Sequence, residues 1–345
     1  MKYIFGFQEG KNHLLSYIER HSFSRIFILT DNNTQRYTLP YFENLFKFTN
    51  VNILNGDENK NLETLTTIWN DLLENGADRK SLLINLGGGV ITDIGGFAAV
   101  TFKRGMSFVH VPTSLLGMVD AAIGGKNGIN FKTYKNQIGT IVQPDHIYII
   151  PEFLKTLDKN EFLSGFAEML KHGLISGEAY WNELIDYSLT KTDQNLPELI
   201  KKSVLIKDKV ITEDPYEKGL RKILNFGHTL GHAIETYVNY ERKQHLTHGH
   251  AVATGMVLAA YLSTQLTGLS SDKSLQIRDI LNSIYLKIEF DKTDILKIMK
   301  LLKHDKKNEA GRVNFVLLKD IGKPVIDKEV PDDLIYKAFD FYLKK

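Results

Sequence analysis

The sequence predicts an α/β domain followed by a mostly α-helical domain. Short apolar runs alternate with amphipathic stretches from residue 1 to about residue 150. Beyond Pro151, Leu, Glu, Lys and Ala recur at helical spacing to about residue 303. The chain has 345 residues, which suits two domains at about 150 residues each. We therefore predict domains at 1–151 and 152–345.

The first half contains five apolar runs that we predict as strands, and they span residues 25–30, 51–54, 81–86, 107–111 and 146–150. A helix is predicted at 61–75, ended by Gly76. Because strand and helix alternate, the sheet should be largely parallel, and such sheets bind ligands at the carboxyl ends of their strands. In the second half, one β pair is expected at 313–318 and 324–326, around Gly322.

Composition excludes several classes of function. The 43 Lys and Arg residues nearly balance 41 Asp and Glu residues, so we expect no nucleic-acid partner. With 0 Cys, the chain can form no disulfide, thiolate zinc site or cysteine nucleophile. The first residues turn polar too early for a secretory signal, and the most apolar later stretch, 251–262, is shorter than the ~20 residues that cross a bilayer. We expect a cytoplasmic protein without a membrane partner.

Two glycine clusters are candidate phosphate sites. Residues 86–93, LGGGVITD, follow a predicted strand and open a helical pattern. These glycines permit positive φ and let backbone N–H groups approach a ligand closely, and the N-terminus of the following helix favours negative charge, so a pyrophosphate is expected here. A tight βα turn is the alternative, since the run is not the GxGxxG fingerprint. Residues 119–126 form a second cluster that ends in Lys126.

The histidine segments are candidate metal sites. His228 and His232 lie four residues apart and therefore on one helical face. Residues 245–250 add three more histidines, and Glu168 interrupts an otherwise apolar helical face. Without Cys, a zinc site must use His and carboxylate ligands, which is typical of a catalytic metal with an open position. Unrelated histidines, a solvated polar loop and an ordinary exposed Glu remain the alternatives.

Taken together, these motifs resemble the 3-dehydroquinate synthases, a family of sugar phosphate cyclases. The resemblance covers nearly the whole chain and is carried by LGGGVITDIGGFAA (86–99), FKRG (102–105), HVPTSLLGMVDAAIGGKNGIN (110–130), KNQIGTIVQP (135–144), SGFAEMLKHG (164–173), GLRKILNFGHTLGHAIE (219–235), HGHAV (248–252) and HDKKN (304–308). It implies a Rossmann-like NAD-binding domain at 1–151, a helical zinc- and substrate-binding domain at 152–345, and a homodimer. The implied cofactors are NAD and Zn²⁺, for which Co²⁺ can substitute.

The resemblance also implies roles for individual residues. The zinc ligands are Glu168, His228 and His248. The NAD contacts are Asp31, Asn33, Lys60, Gly87, Gly88, Gly89, Val90, Asp93, Thr113, Ser114, Lys126, Lys135, Phe153, Thr156, Leu157 and Glu161. The catalytic and substrate-binding residues are Asp120, Lys126, Lys135, Asn136, Lys171, Lys207, Arg221, Asn225 and His232, with Arg104 reaching the neighbouring subunit. Lys306 or Lys307 is expected to close over the substrate phosphate.

The implied reaction is that of a lyase of the shikimate pathway, which leads to chorismate and the aromatic amino acids. It converts 3-deoxy-D-arabino-heptulosonate 7-phosphate into 3-dehydroquinate and phosphate. NAD transiently oxidises the C5 hydroxyl, phosphate is eliminated, the hydride returns, and an intramolecular aldol reaction closes the ring. In the family, the substrate phosphate takes the proton, so the protein mainly positions groups and neutralises charge.

The sequence departs from the family pattern at a few positions. Thr92 replaces a common Gly, Asp57 replaces a Glu near the NAD adenosine, and Ser114 replaces Thr. His250 stands where Glu is common. In a helix, positions two apart point about 200° from each other, so we expect His250 not to share a metal with His248.

Three alternatives remain open from sequence. A sibling sugar phosphate cyclase would make another carbocycle with the same cofactors. A metal-dependent glycerol or alcohol dehydrogenase would share the GGG turn and the HxxxH helix, but it would show net NADH production. A non-catalytic binding module would retain the fold without a complete set of ligand-type residues.

Overall fold

The computed structural model describes residues 2–132, 134–190, 195–303 and 313–344. Its internal contacts divide the chain into two compact units, Met1–Phe162 and Leu163–Lys345. The domain boundary expected between residues 151 and 152 stays a prediction.

The first unit is built on a six-stranded parallel sheet. The eight strands described in this unit are β1 (Lys2–Phe5), β2 (Ile26–Asp31), β3 (Thr49–Ile53), β4 (Leu82–Gly87), β5 (Ser107–Pro112), β6 (Lys126–Phe131), β7 (Tyr134–Ile141) and β8 (His146–Ile149). The sheet order is β1-β8-β5-β4-β2-β3, and β6 and β7 form a separate antiparallel hairpin. Its helices are α1 (Phe7–His21), α2 (Asn32–Tyr37), α3 (Leu62–Glu74) and α4 (Gly89–Thr101).

The five strands and the helix predicted for this half are confirmed, each within two residues at either end. Asn61 caps α3 by accepting a hydrogen bond from the Thr64 backbone N–H, and Gly76 after the helix has a φ of +73°. The sequence analysis missed β1 and the β6–β7 hairpin. The hairpin is largely exposed along β7, so it lacks the continuous apolar run by which the other strands were found.

The order of the strands creates a crevice beside β2 and β4. These two strands are neighbours, and the chain continues from β2 to β3 in one direction and from β4 to β5 in the other. In open parallel sheets, ligands bind at the carboxyl ends of strands where the direction reverses. Asp31 ends β2 and Gly87 ends β4, so both lie at this place.

The second unit is mostly helical, as predicted. Its helices are α5 (Lys159–Ser176), α6 (Glu178–Thr190), α7 (Leu196–Glu213), α8 (His228–Thr236), α9 (His248–Leu266), α10 (Ser271–Ile284), α11 (Lys292–Lys303) and α12 (Asp332–Leu343). Helix α9 is buried along most of its length and packs against α8, α10 and α12, which makes it the central helix.

The predicted β pair is confirmed as β9 (Asn314–Asp320) and β10 (Lys323–Glu329), with Gly322 at a φ of +81° in the turn. The sequence analysis missed α12. In the part of the chain that the structure describes, no helix combines the length and the apolar character needed to span a bilayer.

Candidate active site

The candidate metal ligands stand on three helices of the second unit that approach one another closely. Glu168 lies on α5, His228 begins α8 and His248 begins α9. The next residue, Gly249, donates its backbone N–H to Ser164 Oγ at 3.0 Å, and a Cβ at Gly249 would lie 2.5 Å from Ser164 Cα. Only a glycine therefore lets the start of α9 touch α5, and this contact brings His248 to Glu168.

The three side chains turn toward one atom. Glu168 Oε1 lies 3.4 Å from His228 Nε2 and 3.4 Å from His248 Nε2. The other ring nitrogen of each histidine faces an acceptor, since His228 Nδ1 lies 3.2 Å from the Phe226 carbonyl and His248 Nδ1 lies 3.1 Å from Glu235 Oε2. Each Nδ1 is therefore the donor of its ring, and each Nε2 faces the carboxylate.

This group fits a zinc ion. Glu168 is fully buried, yet its Oε1 accepts no hydrogen bond from the described residues. Two ligands bound at about 2.05 Å with tetrahedral angles lie about 3.4 Å apart, the spacing found between Oε1 and each imidazole. The ligand atoms of His228, His232 and His248 also lie within 4.8 Å of one another, so His232 borders the same space. The 3.4 Å distances from Glu168 Oε1 to the other two imidazoles favour Glu168 as the third ligand.

The electrostatics of the group also favour a bound cation. Burial alone would raise the pKa of Glu168, but the Lys171 ammonium and the His228 imidazole hold it well below its ordinary value. Burial alone would lower the pKa of His248, but the carboxylates of Glu168 and Glu235 raise it to about 10. Two buried carboxylates thus concentrate negative charge on this pair of histidines, a charge that a divalent metal neutralises.

Several cations predicted to bind substrate are buried in the second unit. Lys171 forms an ion pair with Glu168 Oε2, and Lys207 on α7 is 6% exposed. Arg221 is 3% exposed and its Nη1 donates to the Pro215 carbonyl at 2.6 Å, while its backbone N–H donates to Asp214 Oδ2 at 3.0 Å. Asn225 Nδ2 donates to Glu217 Oε1 at 2.6 Å. Burying a cation is unfavourable unless it is partnered, so these positions are typical of a binding site.

In the first unit, the glycine turn lies at the carboxyl edge of the sheet. Gly87 ends β4, Gly88 caps α4, and Gly89 and Val90 form its first turn, where free N–H groups favour an anion. The glycines do not use positive φ here, because Gly88 has a φ of −71° and neither neighbour is left-handed. Close packing limits the turn instead, since a Cβ at Gly87 would lie 2.5 Å from Ile91 Cβ and one at Gly88 would lie 3.2 Å from Ser114 Oγ.

The other residues expected at this edge lie close to the turn. The Thr113 backbone N–H donates to the Gly87 carbonyl at 3.0 Å, and Ser114 Oγ accepts from the Gly117 N–H at 3.1 Å. Asp31 caps α2 by accepting from the Thr34 N–H at 2.8 Å, and Asn33 is exposed on that helix.

A polar network joins residues that were assigned to two different ligands. Lys60 is 4% exposed, and its Nζ donates to Asp93 Oδ2 at 3.0 Å and to Asn136 Oδ1 at 2.6 Å. Lys135 Nζ lies 3.2 Å from Asp57 Oδ2. Burial would raise the pKa of Asp57, but Lys135 and Lys60 lower it. Expected NAD contacts and expected substrate contacts therefore share one network.

Other predicted residues have local surroundings of their own. Phe153 is buried against the rings of Phe7 and Tyr41, so its side chain belongs to the core. The exposed or half-buried residues Thr156, Leu157 and Glu161 follow it. Asp120 lies in a π-helical turn, Gly117–Ala121.

The remaining predicted site residues are Lys126, Arg104, Lys306 and Lys307. Lys126 is exposed at the start of β6. Arg104 is exposed, has a φ of +70°, and lines a surface cavity of about 580 Å³ with Asp78, Arg79, Lys80 and Lys103. Lys306 and Lys307 lie outside the described residues.

His250 does not join the group of candidate metal ligands. Its Nε2 lies 2.5 Å from the Leu286 carbonyl and its ring packs against Tyr285, 5.7 Å between centroids.

Sequence reasoning missed two residues that position others. Glu235 accepts from His248, and it lies seven residues after His228, which places both on one face of α8. The side chain of Asn130 accepts a hydrogen bond from the Asn136 backbone N–H and donates one to the Asp57 carbonyl. The first could have been found from its helical spacing, whereas no sequence pattern indicates the second.

Comparisons with known proteins agree with this geometry. The 3-dehydroquinate synthase N-terminal model matches residues 50–164, and the C-terminal model matches residues 165–308. A 3-dehydroquinate synthase of Parabacteroides distasonis is 43% identical over 336 residues, which are 96% of this chain and 95% of the relative.

Solved structures of two other cyclases are similar to this chain over nearly its full length. The 2-epi-5-epi-valiolone synthase of Streptomyces hygroscopicus, with NAD⁺ and Zn²⁺ bound, is similar with a TM-score of 0.87 and 25% identity, covering 99% of this chain and 96% of that one. A 2-deoxy-scyllo-inosose synthase complexed with carbaglucose-6-phosphate, NAD⁺ and Co²⁺ has a TM-score of 0.82 and 26% identity, covering 97% and 95%. From the two family models and the identity over nearly the full length, the chain belongs to the 3-dehydroquinate synthase family.

Proposed function

We propose that the chain converts 3-deoxy-D-arabino-heptulosonate 7-phosphate into 3-dehydroquinate and phosphate, with NAD and Zn²⁺ as cofactors and Co²⁺ as a substitute metal. The observation that carries the proposal is the group of Glu168, His228 and His248, spaced at 3.4 Å around a buried carboxylate oxygen. The relatives named 3-dehydroquinate synthase and the two cofactor-bound structures support it.

Glu168, His228 and His248 would hold the metal, which when bound supplies Lewis acidity at the C5 hydroxyl that NAD oxidises. Glu235 and the Phe226 carbonyl keep both imidazoles turned toward Glu168. Lys171 balances the charge of Glu168, and we assign it to the surroundings of the reacting hydroxyl. His232 borders the same space, and we assign it to contact with the substrate.

In the first unit, we assign the NAD pyrophosphate to the Gly87–Val90 turn and the first turn of α4. Asp31, at the end of the neighbouring strand, is assigned to a ribose hydroxyl, as in other sheets of this kind. Lys60 and Asp93 are also assigned to NAD.

Lys207, Arg221, Lys126 and Lys135 neutralise the substrate carboxylate and phosphate in this proposal, with Asn136 and Asn225 as polar partners. A charge-assisted contact of this type contributes about 1.5–3 kcal/mol. Because the substrate phosphate accepts the C6 proton, the site needs these cations more than a dedicated carboxylate base.

The proposal is tested by incubating the protein with the heptulosonate phosphate, NAD and Zn²⁺ while phosphate and NADH are measured together. We expect phosphate release without NADH accumulation, because the hydride returns within each turnover. Stoichiometric NADH from simple alcohols would assign the protein to the dehydrogenases. Turnover only of sugar phosphates that lack the carboxylate would assign it to a sibling cyclase.

We also propose that the chain works as a cytoplasmic homodimer in which Arg104 acts on the neighbouring active site. Its support is the exposed, left-handed conformation of Arg104, which follows a left-handed Lys103 with a φ of +49°. Backbone strain of this kind is concentrated at functional sites. Mixing Arg104→Ala chains with Glu168→Ala chains should restore part of the activity, and absence of recovery despite measured subunit exchange would place Arg104 in its own site.

A further inference from the structure

Asn130 connects the β6–β7 hairpin to the segment that precedes α3. Its backbone N–H donates to the Lys60 carbonyl at 2.7 Å. Its side-chain Nδ2 donates to the Asp57 carbonyl at 3.0 Å and lies 3.3 Å from Asp57 Oδ2. Its Oδ1 accepts from the Asn136 backbone N–H at 3.0 Å. One half-buried side chain therefore bonds both segments.

The contact with Asn136 replaces a regular strand contact. The pairing of β6 with β7 shifts register between Ile129 and Phe131, so Asn130 sits in a bulge. Asn136 has a φ of +52°, a conformation that costs a non-glycine residue about 1 kcal/mol. Its side-chain Oδ1 accepts from Lys60 Nζ at 2.6 Å, so both its backbone and its side chain are held.

These contacts fix the position of two residues with expected roles toward substrate. Lys135 precedes Asn136 and its Nζ lies 3.2 Å from Asp57 Oδ2, the carboxylate that Asn130 also contacts. If the side chain of Asn130 is removed, the hairpin loses its bond to Asn136 and both contacts to Asp57. The backbone bond to Lys60 remains, so this expected NAD contact keeps its anchor.

We propose that Asn130 is a positioning residue that presents Lys135 and Asn136 to the anionic substrate. This inference rests on the proposed function, because it takes a carboxylated sugar phosphate as the ligand of these two residues. Asn130 itself touches neither substrate nor cofactor in this proposal.

The test compares Asn130→Ala with Asn75→Ala, a control in which an exposed Asn side chain loses a bond to the Asp71 carbonyl. For Asn130→Ala we expect the KM for the heptulosonate phosphate to rise about 10-fold or more, because small misplacements of binding groups are costly. The Kd for NAD should rise clearly less than the substrate KM, since the backbone contact to Lys60 is retained. Hydrogen–deuterium exchange should accelerate in the peptide that contains Asn136, and the control should change none of these values.

Asn130→Asp is the second variant, since it keeps an acceptor for the Asn136 N–H but places a carboxylate beside Asp57. Its substrate KM should lie between those of the wild type and Asn130→Ala. An unchanged KM in Asn130→Ala, an equal rise in KM and in the NAD Kd, or a higher KM in Asn130→Asp than in Asn130→Ala would each overturn the proposal.

Failure of the proposed function has a different signature. In that case the wild type itself releases no phosphate from the heptulosonate phosphate, while the exchange measurement on Asn136 still reports whether Asn130 holds the hairpin.

Discussion

Replacing Gly249 by Ala should disrupt the metal group without altering any of its ligands. A Cβ at this position would lie 2.5 Å from Ser164 Cα and 2.6 Å from Ser164 C, both backbone atoms of α5. The Ser164 carbonyl oxygen would lie closer still, so an ordinary contact of at least 3.4 Å requires a shift of more than about 0.9 Å between α9 and α5. Since metal–ligand distances tolerate only about ±0.2 Å, His248 would leave its place beside Glu168.

We expect Gly249→Ala to bind zinc at least about 100-fold more weakly and to lose about 1–3 kcal/mol of stability from overpacking. Zinc affinity is measured by competition with a chelator of known affinity, and stability by thermal unfolding of the metal-free protein. Gly10→Ala is the matched control, because a Cβ there meets side-chain atoms of Ile150 and Tyr148 at ordinary contact distances of 3.6–3.7 Å. Wild-type zinc affinity in a folded Gly249→Ala protein would refute the argument that this helix contact builds the site.

Three further predictions concern other parts of the molecule. Glu235→Gln should weaken zinc binding about 10-fold and shift the absorption bands of the Co²⁺-loaded protein, because the Nδ1 of His248 loses a carboxylate acceptor; unchanged spectra and affinity would contradict this role. Arg221→Ala should lower kcat/KM for the heptulosonate phosphate by about 10- to 150-fold, the equivalent of 1.5–3 kcal/mol, whereas Lys222→Ala next to it should have little effect. Equal losses in steady-state assays of the two variants would count against Arg221 as an anion-binding residue. Burial lowers the pKa of His110 to about 3, so the native state stays unprotonated while the unfolded state gains a proton below pH 6.5. Stability should therefore fall by about 2 kcal/mol between pH 7 and pH 5 in urea unfolding, a loss that His110→Gln should reduce; an equal loss in the variant would show that other groups cause it.

Local patterns in the sequence were sufficient for five of the six strands of the sheet and for the position of the glycine turn. The strands that end at Asp31 and Gly87 are apolar along their length, and the helix after Asn61 begins with a capping residue. These signals depend on near neighbours in the chain, so they could be detected without knowledge of the fold. The hairpin escaped detection because β7 is exposed and β6 is irregular at Asn130.

The contacts that organise the candidate site depend on residues far apart in the chain. Lys60 meets Asn136 across 76 positions, and Gly249 meets Ser164 across 85. Sequence spacing placed His228 and His232 on one helical face but gave no reason to prefer Glu168 over His232 as the third ligand. The 3.4 Å spacing around Glu168 Oε1 supplies that reason. Glycine at the GGG turn permits positive φ but does not adopt it, and the close packing of Gly87 against Ile91 could be seen only in the fold.

The capping of α2 limits how the cofactor preference of this chain can be redesigned. If Asp31 contacts a ribose hydroxyl as proposed, acceptance of a cofactor with a 2′-phosphate calls for removal of its negative charge, yet the same carboxylate accepts hydrogen bonds from the Thr34 backbone N–H and hydroxyl. Replacement by Ala would therefore lose the helix cap along with the charge, at about 0.5–2 kcal/mol. Ser is neutral and caps helices about as well as Asp, so Asp31→Ser separates the two roles and is the more suitable starting point for such engineering.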